Sequence, residues 1–126
     1  MTGATPTNNN QPTWSWNTPT DTVEFRYSYD GSSWTVTSNT SFTPGSALID
    51  GDYTLYVQGR DALGNWSTSG SFEITIDTDA PTLVIGAPSA TVAKNGTSVT
   101  YTITYTGADS VTLAVGNITL NTTGGA

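Results

Sequence analysis

The chain has 126 residues and a net charge of −7, with ten acidic side chains against three cations, Arg26, Arg60 and Lys94. That balance excludes nucleic acid and anionic membrane surfaces as partners, because phosphate recognition needs clustered Lys and Arg. Cysteine and histidine are both missing, which removes disulfides, thiolate metal sites and the commonest general base.

A hydrophobic fraction of 35% is thin for one large core. It suffices for two-layer β modules, in which each strand buries a single face. No helical periodicity competes, so the chain reads as all-β. No apolar run is long enough to span a bilayer. Residues 1–10 carry neither a basic nor an apolar stretch, so no secretion signal is expected within this segment.

In chain order, a short first strand is expected near Thr2–Thr5. Trp14 and Trp16 then share one face of a strand, and Pro19 sits in the turn that follows. Val23, Phe25, Tyr27 and Tyr29 alternate with Glu24, Arg26 and Ser28, the period-2 pattern of a half-buried strand. Asp30-Gly31-Ser32 turns into Trp34–Thr37 as a hairpin partner. Ser41–Thr43 is short and edge-like, ended by Pro44-Gly45. Asp50-Gly51 is a turn signal, after which Tyr53, Leu55 and Val57 alternate with Thr54, Tyr56 and Gln58. Gly51, Tyr53 and Leu55 have the spacing of the tyrosine corner that opens strand F of immunoglobulin-like sandwiches. Phe72, Ile74 and Ile76 mark the following strand G.

Pro81 cannot donate to a ladder and holds Ala80 extended, so a boundary falls here. Residues 1–79 form the expected Ig-like β-sandwich. Residues 80–126 form a partial second Ig-like β unit, with strands at Leu83–Ile85, Val99–Thr106, Val111–Leu113 and Ile118–Leu120. This stretch is too short for seven strands, so the expectation is the N-terminal half of a truncated module. A single unusual domain, its last strands completing the first sheet, is the rival reading.

Several segments resemble bacterial Ig-like (Big-type) repeats: Thr5-Pro-Thr-Asn-Asn, Pro12-Thr-Trp-Ser-Trp, Leu48-Ile-Asp-Gly-Asp-Tyr-Thr-Leu-Tyr-Val, Asp61-Ala-Leu-Gly-Asn-Trp-Ser67 and Asp77-Thr-Asp-Ala-Pro81. Residues 82–126 are similar to the first half of a differently typed repeat. The resemblance implies a non-enzymatic structural or spacer module of a large bacterial cell-surface or secreted adhesin-type protein, and so an extracellular location. Its partners would be neighbouring Ig-like modules of the same chain, and a host receptor or polysaccharide. The alternative is a carbohydrate-binding or accessory module of a secreted polysaccharide-active enzyme.

Two constellations qualify as sites. In a sandwich of this topology the turn before strand F and the end of strand G share one pole, which would gather Asp50, Asp52, Asp77 and Asp79. Converging carboxylates repel unless a cation sits among them, and calcium accepts about six to eight oxygen ligands in flexible geometry. The resemblance points the same way, since calcium stiffens module junctions in some adhesin arrays. The plainer reading is a turn and a polar linker. Asp61 and Asn65 bracket the turn at the other pole, either as partial cation ligands or as a self-bonded turn. The second constellation is aromatic. Trp34 and Trp66 sit beside polar turns, where exposed rings would stack on sugar faces; packing at the core and sheet edge is the competing reading. Glu24 and Glu73 point outward with no base or nucleophile to pair them, so no catalytic residue is expected.

Overall fold

The computed structural model describes residues 1–119 except 93, 95 and 109. The chain divides into two compact units, Met1–Thr78 and a second that begins at Asp79.

The first unit contains β1 (Trp14–Ser15), β2 (Glu24–Ser28), β3 (Thr35–Thr37), β4 (Ser41–Phe42), β5 (Gly51–Arg60) and β6 (Gly70–Ile76). β1 and β4 pair antiparallel, and the other four form an antiparallel sheet in the order β3-β2-β5-β6. β5 is the long central strand predicted by the alternation around Leu55. Its register sets Tyr53 opposite Ile74 and Leu55 opposite Phe72. The apolar positions of both strands therefore face the same way, toward β1 and β4. Between the two layers Trp14, Leu55 and Ile74 are fully buried, with Trp16, Phe25, Val57 and Ile76 nearly so. Each such side chain removed from water contributes roughly 1.5–3 kcal/mol.

Polar links brace the sandwich. The Trp14 indole N–H donates across the sandwich to the Phe72 carbonyl at 3.0 Å. The Tyr53 hydroxyl donates back to the Ile49 carbonyl at 3.1 Å, which completes the tyrosine corner read from the sequence. The N-terminal segment serves both layers: Thr2 pairs with Ser15 of β1, while Thr7 forms a parallel bridge to Ile76 of β6. This is the arrangement of an immunoglobulin-like β-sandwich.

Ser28 is buried although it sits opposite Tyr56, on the face away from the core. Its hydroxyl donates to Asp30 Oδ1 and accepts from the amides of Asp30 and Gly31. Asp30 in turn accepts from the amides of Ser32 and Ser33. Those bonds to the charged form hold its carboxyl well below the usual carboxylate range. Val23, expected to point inward, precedes β2 and is exposed; the strand has not yet begun there, so parity does not apply.

The second unit contains β7 (Thr82–Ile85) and β8 (Ile103–Thr106), paired antiparallel. All four β7 residues are exposed. The long alternation from Val99 yields a strand only at its end. Val111–Leu113 is not a strand, and the next regular element is a 3-10 turn at Val115–Asn117, closed by the Ala114 amide donating to Asn117 Oδ1. Of the strand expected at Ile118–Leu120, Ile118 is not in a strand and Leu120 lies outside the described residues.

Candidate functional site

At the start of β5, Gly51 has φ of +143°, a conformation L side chains avoid. It turns Asp50 out of the strand parity. Asp50 then reaches the end of β6, where Oδ2 accepts from the Thr78 amide at 3.0 Å and Oδ1 from the Thr78 hydroxyl at 2.8 Å. A carboxylate oxygen of Asp50 and one of Asp77 lie within 4.8 Å of each other, and both side chains are exposed. Asp79 is the first residue of the second unit, two positions beyond Asp77. Asp52 is held apart: it lies opposite Thr75 in the register, and its Oδ1 accepts the Thr75 hydroxyl at 2.7 Å.

Each Asp50 oxygen keeps a further lone pair, since a carboxylate has about four acceptor sites and Thr78 takes two. An all-oxygen anionic donor set fits a hard cation such as calcium in chemistry and in reach.

At the far end of β5, Asp61 is engaged with its own turn. Oδ1 accepts from the amides of Leu63 and Asn65, and Oδ2 from the Asn65 side-chain amide. These bonds, led by those from Asn65, lower the Asp61 pKa. The geometry is the self-bonded turn, with Gly64 at positive φ.

The two candidate tryptophans are partly buried and share a partner that the sequence did not single out. The Arg26 guanidinium carbon stands 4.6 Å from the Trp34 ring centroid and 4.3 Å from that of Trp66. Arg60 approaches Trp66 at 5.4 Å and forms an ion pair with Glu24 at 2.6 Å. Arg26 Nε donates to Gln58 Oε1 at 2.8 Å. The outer face of the sheet thus carries a Trp–Arg–Trp stack of cation–π contacts. Two of the chain's three cations are used inside it. Each ring thus has a guanidinium within cation–π distance.

Tyr29, expected to point inward, follows the end of β2 and is exposed, yet its ring meets those of Trp14, Phe42 and Tyr53 at the edge of the core. Desolvation, then the neighbouring Tyr27 and Tyr53, push its hydroxyl up to about 12.

An apolar core sealed between two antiparallel layers and closed by a tyrosine corner defines an Ig-like module. The bacterial Ig-like domain family matches residues 2–78. The chain belongs to that family, whose domains are structural modules of surface proteins. No curated protein matches it. No helix among the described residues is long and apolar enough to cross a membrane.

Proposed function

We propose that this chain is a spacer of a bacterial adhesin-type surface or secreted protein, one that keeps neighbouring modules apart and in register. The pole formed by Asp50 and Asp77 would be reinforced by calcium. Convergence of these two carboxylates at the exit of β6 is the observation that carries the reading. Asp79, two residues on, would add a third carboxylate. Calcium bound there would fasten the strand end to the turn before β5, where Thr78 already bonds Asp50. The protein's part would be to orient oxygen ligands, and the ion would supply the compensating charge.

Thermal melting of the full chain tests this. Saturating calcium at about a hundred times its Kd adds about 2.7 kcal/mol, and a domain of this size gains about 4–8 °C per kcal/mol. The rise should vanish with EDTA and in Asp77→Asn combined with Asp79→Asn, while Asp52→Asn retains it. A melting temperature indifferent to both calcium and EDTA would end the calcium part of the proposal.

A further inference from the structure

The N-terminal segment and β6 run side by side in the same direction. Thr7 N donates to Thr75 O at 3.0 Å, Asp77 N donates to Thr7 O at 3.0 Å, and Thr75 N donates to Thr5 Oγ1 at 3.0 Å. The Thr7–Ile76 bridge is parallel, unlike every strand pair in the two sheets of this unit. Just downstream, both segments are tied to the same short turn: Leu48 N donates to Asn10 O at 2.8 Å, and Asp50 accepts from Thr78.

From this geometry we infer that the first unit is a shear clamp, built to resist tension carried along the chain. Pulling the N-terminal side draws Thr7 backward along its own axis, and pulling beyond Asp77 draws β6 forward. In parallel neighbours those forces oppose each other along the strands, so the bonds at Thr5, Thr7, Thr75 and Asp77 are strained together. Had the pair been antiparallel, the same tension would open it from one end, one bond at a time. The antiparallel bridge between Thr2 and Ser15, held by two amide–carbonyl bonds of 2.9 Å, lies upstream, and its release leaves the Thr7 bonds intact. The inference rests on the spacer reading for its use, but not on calcium.

The chain has no cysteine, so introduced pairs define the pulling axis. The full chain is stretched by single-molecule force spectroscopy in EDTA. In one form Ala4→Cys with Ala80→Cys pulls the two strands in shear. In the other Asn8→Cys with Ala80→Cys grips the same bonds from one end. All three positions are exposed. At equal loading rate the shear axis should give at least about twice the peak force, since two or three bonds yield together rather than singly. Thr5→Val, which removes one acceptor and leaves the backbone bonds, should lower the shear peak and leave the end-on peak unchanged. Thr7→Pro, which deletes an amide donor, should lower the shear peak further. Equal peaks on the two axes, in protein that still melts cooperatively, would overturn the clamp. That result would leave the calcium-reinforced pole standing, because that part is judged by the melting test and not by force. Failure of the calcium test would in turn leave the force anisotropy intact.

Discussion

The two units share a vocabulary of alternating apolar and Thr residues and differ in what that alternation achieves. In the first, Leu55 and Ile74 vanish from solvent because Trp14 of β1 and Trp16 just after it share one core with them. In the second, Leu83, Val84 and Ile85 stay 53–61% exposed on a two-stranded sheet. Period-2 patterning makes a strand; only a second layer makes a core. A two-stranded sheet has too little apolar burial to offset the cost of ordering its chain.

The largest test of that contrast is Leu55→Ala. A cavity between the sheets should cost about 2–5 kcal/mol, a large share of the 5–15 kcal/mol typical of a small domain, seen as a collapsed denaturation midpoint. Arg26→Met follows. It removes cation–π contacts worth about 0.5–1 kcal/mol each at exposed sites, and Trp34 and Trp66 emission should shift with it. Tyr53→Phe deletes the corner bond to Ile49 and should cost about 1 kcal/mol without altering the core. Val84→Ala, at a position already 61% exposed, should stay within about 0.5 kcal/mol. If it matched Leu55→Ala, Val84 would be packed like a core residue and the contrast would fail.

A pH titration sharpens the same contrast. Tyr29 has a folded pKa raised to about 12, so the unfolded chain loses that proton first. Its stabilising effect is complete below about 10, the ordinary tyrosine value, and is lost as pH climbs through 12. Asp30 and Asp61 are depressed, so their contribution is present above about 4 and fades as pH falls below it. Tyr29→Phe should flatten the alkaline limb of a stability–pH curve and Asp30→Asn the acid limb.

β5 and β6 were legible because their apolar positions repeat over long runs with Gly at the ends, and the tyrosine corner is a local spacing. Asp50 and Asp77 were legible as members of one pole. Parity alone would have set Asp50 with Asp52; Gly51 at +143° is what separates them, and Thr75 claims Asp52. The Arg26 stack was not legible. It joins residues of β2, the turn before β3 and the segment after β5, and only cross-strand register brings them together. The expected strand at Val111–Leu113 rested on two apolar residues around one Thr, too short a pattern to select an extended pair without a neighbour.

The indole of Trp14 deserves a last consequence. Because its N–H is tied to the Phe72 carbonyl on the opposite layer, its fluorescence works as an optical gauge of the gap between the sheets. Stretching or solvating that gap should redden the emission before secondary structure is lost, so widening of the sandwich can be timed apart from its unravelling.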